Sequence, residues 1–185
     1  KGTKYIAEID QISKIVFSEN GNYLAISKSW RSLSGEDEQS KMISIYDMKN
    51  GEVVQKFGTK SVLDLRFIDE DAVASVEHSS SLSPYYNGWE MQESIYSLKD
   101  GKSLWQSQKT RITDTIAVDN PAAFCKYISK VNTDTNGEKA EVVGFSCEGN
   151  LTLVRKGDWD ILFQKDFEYD IVEIQKIDDN KILVG

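Results

Sequence analysis

The chain has 185 residues, with 22 Lys and Arg against 30 Asp and Glu and a formal net charge of −8. Without clustered Lys and Arg this balance argues against a phosphate-binding surface, so nucleic acid is not an expected partner. No run approaches 18 apolar residues, which argues against direct membrane insertion.

The prolines, Pro84 and Pro121, are only two and no linker-like tract divides the chain, which favours a single unit, 1–185, or part of one. The first residues, Lys1-Gly2-Thr3-Lys4, lead into a strand-like segment rather than a signal sequence. The initiator Met is missing, which leaves the compartment open, the cytoplasm ahead of an endomembrane lumen.

In chain order, Ile12 to Phe17 is a short apolar run, Glu19-Asn20-Gly21-Asn22 a turn and Tyr23 to Ser27 a second run, which predicts a hairpin. A long polar loop covers 28–41. Met42 to Asp47 predicts a third strand, Lys49-Asn50-Gly51 a hairpin turn, and Val53 to Phe57 a fourth strand. The order then repeats at an offset of 50, with strands predicted at Val62 to Phe67, Ala72 to Val76, Ser94 to Leu98 and Ser103 to Ser107, and a second long loop at 78–92. Ile12 meets Val62, Ile15 meets Leu65, Phe17 meets Phe67 and Ile26 meets Val76. Ser44-Ile45-Tyr46 falls on Ser94-Ile95-Tyr96, and Lys49-Asn50-Gly51 on Lys99-Asp100-Gly101. Phe17 and Phe67 are both expected to be buried, as are Ile45 and Ile95 in the third strands.

After Gln108 the regularity loosens. Residues 142–164 predict three strands joined by Glu148-Gly149-Asn150 and Lys156-Gly157-Asp158, and residues 112–139 are expected to hold the intervening first strand and an extra hairpin. Asp170 to Ile177 and Lys181 to Val184 open another unit. The fold class expected is all-β, a β-propeller or partial propeller of four-stranded antiparallel blades, with blade-like repeats at 12–57, 62–107 and 112–166 and the start of another at 170–185. Strands dense in Ile, Val and Leu, rather than alternating, suit sheets covered on both faces. An ordinary sandwich or barrel is the rival architecture.

The stretch Phe17-Ser18-Glu19-Asn20-Gly21-Asn22-Tyr23-Leu24-Ala25 resembles the first hairpin of WD-repeat propellers. Ile43 to Phe57 and Ser94 to Trp105, with Asn/Asp-Gly-Glu/Lys before an apolar strand, resemble quinoprotein-type repeats. Tyr46-Asp47 holds the place of the WD dipeptide in the first unit and Tyr96-Ser97 in the second. Trp159-Asp160 falls in a turn, and the Gly-His of WD repeats is missing. The resemblance implies a ring of four to eight blades, of which this chain supplies fewer than four, so a piece of a longer protein is expected.

The long loops at 28–41 and 78–92 occupy matching places in the repeat and are expected on one face. They carry Trp30 and Arg31 in the first, and His78, Tyr85, Tyr86 and Trp89 in the second. Trp, Tyr and Arg dominate binding hot spots, and loops on rigid scaffolds are where binding residues gather, so these six are the candidate contacts. The alternative is that the rings fold back to cap the blade edges.

Catalytic residues are not expected. His78 beside Ser79-Ser80-Ser81 lacks a Gly-x-Ser-x-Gly elbow and an orienting carboxylate. Cofactors and metals are not expected either. Asn132-Thr133-Asp134-Thr135-Asn136-Gly137 has calcium-loop spacing for six positions, but Ala140 and Val143 stand where closing acids would be needed, so it reads as a polar hairpin turn. Cys125 and Cys147 with one histidine fall short of a zinc site and read as buried free thiols, a single bridge being the alternative. Asn150-Leu151-Thr152 is a glycosylation sequon in a predicted tight turn.

The function expected is a non-catalytic interaction scaffold whose partner is another protein or another domain of the same polypeptide. The alternatives are the propeller portion of a quinoprotein-like or prolyl-peptidase-like enzyme and a lumenal or extracellular folding module.

Overall fold

The computed structural model describes residues 12–28, 42–58, 60–83, 86–108, 110–112, 125–135, 138–147, 150–168, 174–178 and 181–184. Every regular element among them is a strand. None is a helix long and apolar enough to cross a membrane.

The first sheet is an antiparallel meander of β1 (Ile12–Phe17), β2 (Tyr23–Lys28), β3 (Ile43–Asp47) and β4 (Val53–Phe57). The second orders β5 (Ser61–Phe67), β6 (Ala72–Ser83), β7 (Tyr86–Ser97) and β8 (Ser103–Gln106) in the same way, with β9 (Thr110–Ile112) also paired to β7. A third follows from β10 (Cys125–Thr135), β11 (Glu138–Cys147), β12 (Asn150–Arg155) and β13 (Ile161–Asp166). The last hairpin is β14 (Ile174–Asp178) with β15 (Lys181–Val184). First strands stack in succession, β1 on β5, β5 on β10 and β10 on β14. A meander repeated with its first strand always innermost is the geometry of propeller blades.

Packing between blades uses the residues that the repeat aligned. Ala25, Ile43, Ile45 and Phe57 of blade 1 form one core with Val62, Leu65, Phe67, Val73 and Tyr96 of blade 2. Phe57 and Tyr96 stack at 4.7 Å between ring centroids. Ala74, Val76, Met91 and Ile95 of blade 2 form the next core with Val143, Phe145 and Val154 of blade 3, where Trp105 stacks on Phe145 at 5.2 Å. Ile45 and Ile95 both lie in third strands with no exposed surface, as expected.

Two expectations are corrected. Phe17 pairs with Leu24 but Phe67 pairs with Val73, so the second unit's first turn is one residue shorter. Leu24 therefore answers to Val73 and Ile26 to Ser75, not to Val76. The offset returns to 50 in the third strand, where Leu24 pairs with Tyr46 and Val73 with Tyr96. Phe17 is also not buried. It is 58% exposed while Phe67 is 8% exposed, because blade 1 covers the face that carries Phe67 and no described sheet covers the same face of blade 1.

The turn between third and fourth strands is built alike in all three blades. Asp47, Ser97 and Arg155 each accept a hydrogen bond at their carbonyl, from the N–H of Gly51, Gly101 and Trp159 respectively. Gly51 and Gly101 take φ of 80° and 69°, and Trp159 takes 63°. A left-handed conformation is free for glycine and costly for other residues. Trp159 is held there while its ring packs on the core between blades 2 and 3. At Gly101 there is a second constraint, since a Cβ would lie 2.9 Å from the Gln55 side chain of blade 1.

Residues 132–135 are extended, pairing Asn132 with Glu141 and Thr135 with Glu138, so the polar run belongs to a long hairpin. Its tip, 136–137, lies outside the described residues, and so does 113–124. Among the described residues of 112–139, Cys125–Thr135 and the start of β11 at Glu138 form one long hairpin. Asn150 opens β12 and pairs with Cys147 across a two-residue connection, with its Nδ2 donating to Asp166 at 2.7 Å and Thr152 buried in the strand.

Candidate functional site: the ribbon of blade 2

β6 and β7 are twice as long as β2 and β3 would lead one to expect, 12 residues each against 6 and 5. The pairing of β5 with β6 stops at Ser61 and His78, whereas β6 and β7 stay paired as far as Ser83 and Tyr86. The segment 78–92, expected as a loop, is therefore a two-stranded ribbon that leaves the blade. Ser, Gly and Asn in it suppressed the strand signal, although β6 and β7 stay paired along one edge through this stretch.

A third strand braces the ribbon's base. β9 pairs with β7 so that Trp89 faces Ile112, Glu90 faces Arg111 and Met91 faces Thr110 along the backbone ladder. Between β8 and β9 the chain is fastened by Ser107, whose Oγ accepts from the Glu93 N–H at 3.0 Å and whose carbonyl accepts from Gln92 Nε2 at 2.8 Å. Gln92 Oε1 accepts in turn from Lys60 Nζ at 2.6 Å. These bonds tie three segments of chain at the level where the ribbon departs.

His78 sits at that level, paired with Ser61 on one side and Met91 on the other. Burial pulls its imidazole down to about 4, so it is uncharged at neutral pH. Below it, Glu77 is buried toward blade 1, where its Oε1 accepts from Ser75 Oγ and from Tyr96 OH, both at 2.7 Å. Burial and the nearby Glu77 carboxylate together push the Tyr96 hydroxyl above its ordinary range. Sequence reasoning passed over Glu77. The signal was there in its parity, since Val73, Ser75 and Glu77 share one face of a strand whose apolar member is fully buried.

Of the six sequence candidates, His78, Tyr86 and Trp89 have their backbones in this ribbon. Trp89 pairs with Ser80 and Tyr86 with Ser83. Trp30, Arg31 and Tyr85 lie outside the described residues. β2 ends at Lys28 and β3 begins at Ile43, so the segment holding Trp30 and Arg31 joins the strands that correspond to β6 and β7.

Salt links hold blades together rather than marking a site. Lys14 pairs with Asp64 at 3.7 Å, and Lys156 of blade 3 pairs with Asp69 of blade 2. Burial raises the Asp69 carboxyl, but the Lys156 bond and the N–H groups of Asp71 and Ala72 lower it further, leaving it below the usual range.

No protein-family model and no curated protein matches this sequence. Among solved structures the chain is similar to the β-propeller domain of Myceliophteria thermophila Cps50 (Swd1), at 12% identity and TM-score 0.45, over 94% of this chain and 48% of that one. It is similar to the acylaminoacyl peptidase of Pyrococcus horikoshii, at 12% identity and TM-score 0.46, over 95% of this chain and 28% of that one. It is also similar to the WD40 domain of fission-yeast SCAP, at 11% identity and TM-score 0.28, over 90% and 45%. The chain thus spans less than half the length of each. By its own sheet order and inner-strand stacking, the chain is a partial β-propeller of four-stranded antiparallel blades.

Proposed function

We propose that the chain is a non-catalytic protein-binding propeller segment, a single unit over 1–185 or part of a larger one, and that the β6–β7 ribbon is its recognition element. The observation that carries this reading is the ribbon itself. Twelve-residue strands far exceed what blade stacking uses, and rigid β-ribbons present side chains to a partner at little entropic cost. Tyr86 and Trp89 supply the residue types that anchor interfaces, and the segment with Trp30 and Arg31 leaves from the equivalent strand ends. The partner is a protein or another domain of the same polypeptide.

A photo-crosslinking residue at position 86 or 89, with position 50 in the β3–β4 turn as control, identifies the partner by mass spectrometry. Trp89→Ala and Tyr86→Ala are expected to weaken that partner's binding by about 1 kcal/mol or more with the thermal midpoint unchanged. A fall in stability with binding intact would assign these rings to capping and remove the proposal.

A further inference from the structure

The repeat fixes where the two cysteines fall. Asp47, Ser97 and Arg155 mark the same point in the third strands of blades 1, 2 and 3, and they pair with Tyr23, Ala72 and Val142 of the second strands. The same distance along each second strand from there stand Lys28, Glu77 and Cys147, whose partners in the first strands are Ile12, Val62 and Cys125. Next to that partner each register shifts, between Ile12 and Lys14, Val62 and Asp64, and Cys125 and Tyr127, so each first strand carries an extra residue there. Three blades thus share one register position beside one bulge, and in blade 3 both of its places are cysteine.

Directly opposed residues of an antiparallel pair have Cα atoms about 4.5 or 5.5 Å apart, according to the hydrogen-bonding phase of the ladder. A disulfide spans Cα separations of about 4.4 to 6.8 Å, so this backbone placement meets its requirement in either phase. The register supplies what the sequence spacing of two cysteines does not. The position also has a protected counterpart, since Val62 and Glu77 in blade 2 are each 2% exposed. At its far end the same hairpin is paired up to Thr135 and Glu138, so a bond between Cys125 and Cys147 would make β10 and β11 a covalent ring. Because β10 stacks on both β5 and β14, the ring would fasten the innermost strand of blade 3 at the end where that strand begins.

We propose that Cys125 and Cys147 are a thiol–disulfide couple built into blade 3, and that closing it stabilises the fold. The co-reactant is a low-molecular-weight disulfide, RSSR. One cysteine thiolate attacks a sulfur of RSSR and expels one thiolate, leaving a mixed disulfide. The second cysteine thiolate attacks the protein sulfur of that bond and expels the other. The two protons given up by the cysteines are taken by the two expelled thiolates, so the pair loses two electrons and RSSR is reduced to two RSH.

Oxidised and reduced glutathione serve as the probe. The chain is equilibrated across a series of their ratios, quenched in acid, alkylated and weighed by mass spectrometry, once in native buffer and once in concentrated guanidinium. In native buffer a monomer lighter by two hydrogens and closed to alkylation is expected, with Cys125 and Cys147 joined in one peptide pair after proteolysis. Because the fold holds the two strands in register, the midpoint should lie at least about tenfold further toward the reducing side than in guanidinium. By the same cycle the bridged chain should exceed the reduced chain about tenfold or more in its folding equilibrium constant. Cys125→Ser and Cys147→Ser, each with unchanged circular dichroism, should show no loss of two hydrogens and at most a mixed disulfide with glutathione. Two alkylated thiols at the most oxidising ratio, mixed disulfides or intermolecular bridges in place of the ring, or a midpoint no different in guanidinium would each overturn the proposal. Neither cysteine lies in the β6–β7 ribbon, so its failure leaves the ribbon's partner binding untouched, and the converse holds.

Discussion

Phe17 and Phe67 are the same residue at the same place in two consecutive blades, so replacing each by alanine isolates what stacking contributes. Phe67 is 8% exposed and packed in the core that Ala25, Ile43, Ile45 and Phe57 share. Its removal loses the ring's transfer free energy and leaves a cavity, which costs about 3 to 5 kcal/mol. Full burial of such a ring contributes about 1.5 to 3 kcal/mol. Phe17 remains 58% exposed and opens no enclosed cavity, so its loss should cost about 1 kcal/mol. Guanidinium titrations read both costs by linear extrapolation. The m-value should stay constant. Two costs equal within about 0.5 kcal/mol would refute the reasoning, since they would mean either that Phe17 is covered or that blade 1 does not cover Phe67.

Gly101→Ala must adopt φ near 69° and push against Gln55, so it should cost about 1 to 3 kcal/mol, more than Gly21→Ala, whose φ is 74° but whose surroundings are open. The excess should vanish in a Gln55→Ala background, as a double-mutant denaturation cycle would show. His78, with a folded-state value of about 4 against an ordinary 6.5, stabilises the fold fully above pH 6.5 and progressively less as pH falls toward 4. The full shift corresponds to about 3 kcal/mol, and solvent screening of a part-exposed ring reduces this to about 1 to 2 kcal/mol. Urea midpoints across that pH range should show this loss in the wild type and not in His78→Gln, and the chain's one imidazole should titrate by NMR near 4. Tyr96→Phe removes one of the two hydroxyls that Glu77 accepts from and should cost about 1 to 3 kcal/mol in thermal or chemical unfolding. Because the Tyr96 hydroxyl is raised in the folded state, its contribution is complete below pH 10 and fades above it, so the mutant should lose less stability in alkali than the wild type.

The blades were legible because their pattern is dictated by local chemistry. Asn20, Asp47, Asp69, Asp100 and Asp158 each accept backbone N–H bonds two residues on, which is why the turns announced themselves. Apolar runs between them had nowhere to go but into stacked sheets. What escaped the sequence was whatever depends on neighbours. The burial of Phe67 and exposure of Phe17 differ only in what lies beyond each face, and no residue near either one records that. The ribbon escaped because its Ser-rich strand lacks the apolar content by which buried strands are recognised, even though its backbone pairing continues unbroken. Trp159 escaped for a different reason. Gly157 two residues earlier offers the expected turn glycine, yet the ladder places the left-handed position at Trp159, where core packing of the ring outweighs the local cost.

A stack of near-identical sheets uses its repeated positions for one purpose, the burial of each face by the next, so those positions can say little about recognition. Specific function has to reside in departures from the repeat. Between blades 1 and 2 the described departures are few: one residue lost from the first turn, Glu77 in place of Lys28, a split fourth strand and a doubled second hairpin. The last three converge on a single region, since β9 braces β7 while Glu77 and His78 sit where the ribbon leaves the sheet. A buried carboxylate costs stability unless its donors are fixed, and here Ser75 and Tyr96 fix it against blade 1. That anchoring holds the base of the ribbon in one orientation relative to the stack, which an element that only capped a blade edge would not require. Convergence of independent departures at one place, each with its own cost, is the strongest reason in this molecule to place recognition there.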